Sequence, residues 1–293
     1  ELMSMETAIV RYHHPETDVY VDLVGVVHIG EKSYYDELNE VLADYDVVLY
    51  ELVAPEGTRV PAGGKSSGHP VAFMQQAMKN LLELESQLAC IDYQAEHFVH
   101  ADMSPEEFAD SMAQRGESFW TLFFRMLRQS VIQQSQGRGN STDIDFIRAL
   151  FDPNRSLVLK RVMAEQFEDL EGAMSAFNGP DGSAIITDRN TAALEVFDEQ
   201  IDDGKKRLAI FYGAGHMPDM HARLLADYGF EREETRWLVA WDLTDPRAVK
   251  KDESLDEDDD DADADDRRPR KSIIRFDRPS DDAPAEDAPA TVQ

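Results

Sequence analysis

Two segments of this 293-residue chain limit its possible folds more than any others: VDLVGVVHIG (21–30) and LAIFYGAGHM (208–217). Each is an apolar run of β-forming residues that breaks at glycine and presents a histidine three positions later. The two phrases are Gly25-Val26-Val27-His28 and Gly213-Ala214-Gly215-His216. Short apolar runs bounded by turn residues read as buried strands. In α/β proteins, sites collect outside the carboxyl ends of such strands, which is where both histidines fall. They lie 188 positions apart, so only the fold can bring them together. Two histidines on matching strand ends point to a shared pocket, and a metal ion is the simplest reason for one.

The rest of the chain fits an α/β core. Residues 7–12 and 19–28 read as strands, 34–45 as a helix with Ser33 as N-cap, and 46–52 (DVVLYEL) as a short buried strand. This opening predicts a central, mostly parallel or mixed sheet. Residues 54–69 form a Gly/Pro/Ser-rich loop, long enough to act as a lid. From about 70 to 177 the spacing is mainly helical (71–88, 105–115, 117–135, 155–177), a large helical insertion broken by the strand HFVHADM at 97–103. Ser104-Pro105-Glu106-Glu107 then spells a helix start, with a serine cap, proline at the first position and a glutamate completing a capping box. The alternation returns with helix 186–203, strand 207–213, helix 218–228 and strand 235–243. We therefore read residues 1–250 as one α/β domain and 251–293 as a disordered acidic tail. Within the tail, RKSIIRF (270–276) is a small basic-apolar island, either a docking segment or simply more tail.

The formal charge of −30 excludes whole classes of partner. Residues 252–293 hold 16 acidic and six basic side chains, so the body alone stays near −20. Such a surface repels nucleic-acid phosphates and anionic membranes. It suits a neutral or cationic peptide, or a small molecule. No run reaches the roughly 20 apolar residues of a membrane span. The single cysteine, Cys90, excludes an internal disulfide and a cysteine-rich zinc site. The chain opens on Glu1 without an initiator methionine, which reads as a processed N-terminus; export to the periplasm and residence in the cytoplasm both fit.

Four further positions have chemistry to offer. Glu51 ends the strand VVLYE at the rim His28 would share, and a glutamate after four apolar residues is costly to bury unless paired or bound to a metal. Asp102 follows HFVHA, either as a site carboxylate or as a turn residue. His97 and His100 fall on opposite faces of their strand, and His100, nearer its end, is the better ligand candidate. Arg189 opens a helix, where the dipole disfavours a cation, which suggests either that it points at something anionic in a site or that it makes a salt bridge to a surface carboxylate. Two neutral imidazoles and a carboxylate make an open site for a divalent first-row metal. A metal there can acidify water and polarise a carbonyl, the two needs of amide or ester hydrolysis.

These residues resemble the TraB/PrgY/GumN family, which includes the Tiki proteins and is related to ChaN-like and erythromycin-esterase-like proteins. Its marks are two GxxH motifs, a glutamate after the next strand and an Arg-Asn pair before the second GxxH. Here they stand as Gly25–His28, Glu51 in VVLYEL, Arg189-Asn190 in ITDRN and Gly213–His216, over about residues 8–243. The resemblance implies an α/β core with a helical insertion and, for the Tiki branch, a protease dependent on manganese or cobalt, with zinc as a further option. It makes His28 and His216 metal ligands, Glu51 a ligand or general base, and Arg189 an anchor for developing negative charge. Asp102 joins the catalytic set and His100 the ligands. The chain departs from the animal Tiki type in lacking a membrane anchor and in its 54–69 loop. Two alternatives stay open: a binding module for haem or peptide, as in ChaN-like and PrgY-type relatives, and a metal-independent esterase with a histidine base.

Overall fold

The computed structural model describes residues 2–55, 57–58, 60–61, 81–116, 152, 154–165, 182–245 and 272–276. Its main sheet is built from β1 (Leu2–His14), β2 (Val19–Val26), β4 (Val47–Tyr50), β6 (Phe98–His100), β7 (Arg207–Gly213), β8 (Glu231–Asp242) and β9 (Ser272–Phe276). The order across the sheet is β6-β4-β7-β2-β1-β8, with β9 added to β1. The four strands β6, β4, β7 and β2 are mutually parallel, whereas β1 is antiparallel to both β2 and β8. β3 (Ile29–Gly30) and β5 (Glu85–Ser86) make a separate two-stranded ribbon. The helices are α1 (Lys32–Leu42), α2 (Gln87–Cys90), α3 (Pro105–Gln114), α4 (Arg189–Asp202) and α5 (Met217–Ala226), with residues 155–165 also helical.

The central strands are apolar throughout because both faces of the sheet are covered. On β7, Ala209 and Phe211 face a cluster with Tyr34, Tyr35, Leu38 and Leu42 of α1 and Leu159. Leu208, Ile210 and Tyr212 face the opposite cluster, with Ala193, Leu194 and Phe197 of α4 and Met220 and Leu224 of α5. The period of two along the strand thus assigns alternate residues to two cores. No described helix is long and apolar enough to cross a membrane.

The α/β architecture expected from the sequence is present, with informative differences. The capping box at Ser104 forms as expected: the serine hydroxyl accepts from the Glu107 amide, and the Glu107 carboxylate accepts from the Ser104 amide. Ser33 does not cap α1, which starts at Lys32, two residues before the expected Tyr34, with no side-chain cap. The strand expected at 97–103 within the helical insertion is present as β6, Phe98–His100, and it is an edge strand of the main sheet. Within the helical pattern at 71–88, residues 85–86 are strand, pairing with Ile29–Gly30. The basic-apolar island is not featureless either, since Ser272–Phe276 is β9, running parallel to β1. Most of loop 54–69, the pattern at 117–135 and the acidic run at 251–271 lie outside the described residues.

Candidate functional site

The carboxyl ends of the four parallel strands form one rim, and the candidate residues sit on or just beyond it. β2 and β7 pair in parallel with Gly25 opposite Tyr212 and Val26 opposite Gly213, so the two Gly-x-x-His phrases leave the sheet side by side. Gly25 has ordinary van der Waals room for a side-chain carbon. A Cβ there would stand 3.4 Å from the Ala8 carbonyl oxygen and from Met217 Cγ, and 3.6 Å from Ala214 Cα. The second phrase turns through a single 3₁₀ turn, Ala214–His216, into α5, which buries His216. The first continues past an exposed His28 into the short ribbon.

Glu51 follows β4 directly, between the two phrases and β6. Its Oε2 accepts from the Gly213 amide at 2.6 Å, and its Oε1 accepts from Arg189 Nη2 at 2.7 Å. Gly213 matters sterically as well, because a Cβ there would lie 3.2 Å from Glu51 Oε2. The Asp102 side chain is fully buried and takes Arg189 Nε at 3.0 Å and Nη2 at 2.5 Å, a bidentate clamp. A π-helical turn, Ala184–Asp188, immediately precedes Arg189. Such turns recur at functional sites. Asp188 of that turn is itself held by Ser111 and Arg115 of the capped α3 region. Two carboxylates share one guanidinium, so this buried group carries a formal charge of −1.

His216 adds the most informative detail. Its Nδ1 lies 2.6 Å from Asn190 Oδ1. The Asn190 amide nitrogen is spent on two acceptors, the His216 carbonyl at 3.1 Å and Asp219 Oδ2 at 2.8 Å. The amide orientation is therefore forced, and Asn190 Oδ1 must accept a proton from His216 Nδ1. Burial pulls the His216 pKa down from its ordinary 6.5 to about 4, against the attraction of Glu51, so the ring is neutral at neutral pH. Its Nε2 then carries a lone pair, and that atom lies 3.7 Å from Glu51 Oε1. Burial alone would raise the Glu51 pKa, but positive charge at His216 and Arg189, the Gly213 amide and His28 together lower it. With His216 neutral, Arg189 and the amide carry that effect at neutral pH. An ionised carboxylate and an imidazole lone pair thus face each other with no proton between them.

His28 has a parallel arrangement. Its Nδ1 lies 2.9 Å from Gln87 Oε1, while Gln87 Nε2 donates to the Tyr93 hydroxyl at 2.8 Å and the Gln87 amide donates to the His28 carbonyl. Each histidine of the twin phrases is oriented through Nδ1 by a side-chain carboxamide. The structure thus brings Glu51, Asp102, Arg189 and His216 into direct contact, with His28 near enough to influence Glu51. His100 is placed differently, its Nε2 engaged by the Leu52 carbonyl at 2.5 Å. Gln87 and the orienting role of Asn190 were not anticipated. Asn190 carried a signal, since it adjoins Arg189 at the same helix start; Gln87, in the unremarkable string ESQLAC, carried none.

Neutral imidazoles oriented through Nδ1, with Nε2 left as the donor atom, are the usual state of metal-ligating histidines. Beside an ionised carboxylate in a group of net charge −1, the donor set fits a divalent first-row cation. Among the described residues, no three His, Cys, Asp or Glu side chains already converge as a ligand cluster. Two surface clefts, one lined by Glu31, Lys160 and Asp242 and the other by Met103, Ser111 and Asp188, include none of His28, Glu51, Asp102, Arg189 or His216 in their linings. In comparisons with known proteins, no family model, curated protein or solved structure matches this chain.

Proposed function

We propose that this chain is a metal-dependent hydrolase of amide bonds, of the TraB/Tiki type, acting on neutral or cationic peptides. The observation that carries the reading is His216 Nε2 standing 3.7 Å from Glu51 Oε1 while His216 Nδ1 is engaged by Asn190 Oδ1. Arg189 already offsets the Glu51 charge, so what favours a metal is the His216 Nε2 lone pair standing beside a carboxylate. His216, Glu51 and His28 are the residues that would hold it. When bound, a manganese, cobalt or zinc ion supplies Lewis acidity towards a carbonyl and acidifies water.

The protein's own groups have complementary parts. Glu51 is ionised at neutral pH and one-eighth exposed, so it can accept a proton from water entering past His28 and return it to the leaving amine. His216 has too low a pKa to act as a general acid at neutral pH, which suits a ligand. Arg189 Nε and Nη2 are committed to carboxylates, leaving Nη1 to steady an oxygen that gains negative charge. The fully buried Asp102 side chain positions that guanidinium.

The test is chelator stripping followed by reloading, with metal content read by elemental analysis and activity on a peptide library. Near-stoichiometric uptake, lost in His28→Ala and His216→Ala, is expected together with metal-dependent cleavage. Hydrolysis insensitive to chelator would favour a histidine-base esterase instead. A Soret band on haem titration, absent in the histidine variants, would favour a haem module.

A further inference from the structure

β1 is longer than its neighbours, and its two edges are used differently. Residues Ser4–His13 pair with β8 on one edge. On the other edge, Ile9–His14 pair with β2 and Leu2–Thr7 pair with β9. β9 therefore lies in line with β2, on the same side of β1. The register makes the junction explicit: Ile9 faces Val24 and Thr7 faces Phe276. Beyond Val24 the β2 backbone stays with β7 as far as Val26 but no longer pairs with β1. β9 enters at that level, so its carboxyl end abuts the Gly25–His28 turn at the rim of the candidate site.

The side chains show what this slot selects. Ile274 points inward and is 5% exposed, in the core cluster that also holds Leu2, Met5 and Val26. Arg275 points the other way. Its Nε donates to Glu6 Oε2 at 2.9 Å, and its guanidinium lies 4.8 Å from the Trp237 ring centroid. Glu6 is a buried strand carboxylate whose other oxygen, among the described residues, accepts from the Ser4 hydroxyl, and Arg275 supplies its countercharge. With β9 gone, residues 2–7 would present an open strand edge, an apolar hole and an uncompensated carboxylate. Those features suit addition of an extended peptide strand.

We propose that the groove between β1 and the Gly25–His28 turn is a binding site for extended peptides bearing an apolar residue followed by arginine, and that Ser272–Phe276 fills it as an internal mimic. The segment is five residues long and 27 positions beyond Asp245. A five-residue strand that joins the sheet through β1 has little local stability of its own. Its advantage over a free peptide is effective concentration, on the order of millimolar. The inference rests on the hydrolase reading only in naming the class of peptide; binding at the groove needs neither metal nor turnover.

The test uses the full chain, stripped of metal, and a fluorescein-labelled RKSIIRFDRP peptide, with binding read by anisotropy. The double variant Ile274→Asp/Arg275→Asp should bind the peptide at least tenfold more tightly than the unmodified chain. Adding Glu6→Arg should reverse that gain, and a peptide with glutamate in place of its second arginine should restore it. Equal binding by the unmodified chain and the double variant, or indifference to Glu6→Arg, overturns the proposal. Hydrogen exchange at the amides of residues 2–7 provides a second readout if Glu6→Arg does not fold. Exchange should quicken in the double variant and slow again when peptide is added, and unchanged exchange overturns the proposal. Peptide binding without metal uptake or cleavage would leave this groove standing while removing the hydrolase.

Discussion

Replacing Arg189 by methionine keeps most of the side-chain volume and removes the guanidinium that Glu51 and Asp102 share. Three hydrogen bonds go with it, at 2.5, 2.7 and 3.0 Å. Glu51 keeps the Gly213 amide and Asp102 keeps the Met103 amide at 2.8 Å, but neither has a countercharge. The Asp102 side chain has no solvent exposure with which to recover hydration. Removing one member of a buried ion pair typically costs about 3–5 kcal/mol, and we expect a loss in that range at pH 7. The sign of its pH dependence is the sharper test. In the unmodified chain the Glu51 pKa is lowered, so its contribution is present above the unfolded value near 4.5 and lost as pH falls. In the variant two uncompensated carboxylates face each other, and at least one must bind its proton more tightly folded than unfolded. That destabilisation shrinks as pH falls. His216, freed from the repulsion of Arg189, can also protonate more readily and partly replace it. Urea unfolding of both proteins at pH 7 and pH 5 measures the difference, and the self-repulsion of a −30 chain largely cancels between them. The deficit should fall by at least 1 kcal/mol between the two conditions, about a tenfold change in equilibrium constant. A deficit below about 1 kcal/mol at pH 7, or one that grows on acidification, would refute the argument that Arg189 is the countercharge.

The lowered His216 pKa predicts acid sensitivity of its own. The unfolded chain protonates this histidine below about 6.5 and the folded chain only near 4, so stability is present above pH 6.5 and lost across that window. The interval corresponds to roughly 3 kcal/mol at most, and His216→Gln should lose correspondingly less between pH 7 and 5. Nitrogen-15 NMR should find the proton on Nδ1 and no titration above about pH 5; an ordinary midpoint near 6.5 would contradict the buried neutral ring. Gly213→Ala pushes a Cβ to within 3.2 Å of Glu51 Oε2, and moving the carboxylate weakens both its hydrogen bonds. A loss of about 1–3 kcal/mol in urea unfolding is expected, with metal affinity falling alongside it. Ser104→Ala removes the acceptor that caps α3 and should cost about 1 kcal/mol while leaving metal binding unchanged.

What was legible in the sequence was whatever is encoded locally. The twin phrases announced parallel buried strands because residues covered on both faces must be apolar throughout, and β2 and β7 are adjacent and in register. The capping box at Ser104 was readable because all its partners lie within four residues. β9 was harder. Five residues of RKSIIRF have modest strand character, and what makes them a strand is the open edge of Leu2–Thr7, nearly the whole chain away. The start of β1 was missed for the same reason: Leu2–Glu6 is extended because β8 and β9 hold it from both sides.

The candidate site divides along the same line. His28, Glu51, Arg189 and His216 could be nominated because each is a polar residue at an abrupt end of an apolar or helical run, where burial without a purpose is expensive. Their chemical states could not be read that way. Whether His216 offers a lone pair or a proton depends on Asn190, 26 residues earlier, and on the two acceptors that fix the Asn190 amide. Whether Glu51 is ionised depends on a guanidinium 138 positions away and on the Gly213 backbone amide, which no side-chain pattern records. The amide that orients His28 comes from Gln87, in a short helix with no sequence mark. A motif therefore locates this site, and its orienting neighbours decide its chemistry. Asn190→Asp would separate the two. It preserves the position and an acceptor for His216 Nδ1, but adds a negative charge and forfeits donation to Asp219. His216 should then titrate well above 4 by NMR, while His28 keeps its tautomer. If both histidines responded alike, their orientation would be a property of the shared rim, and Asn190 and Gln87 would not be separate determinants.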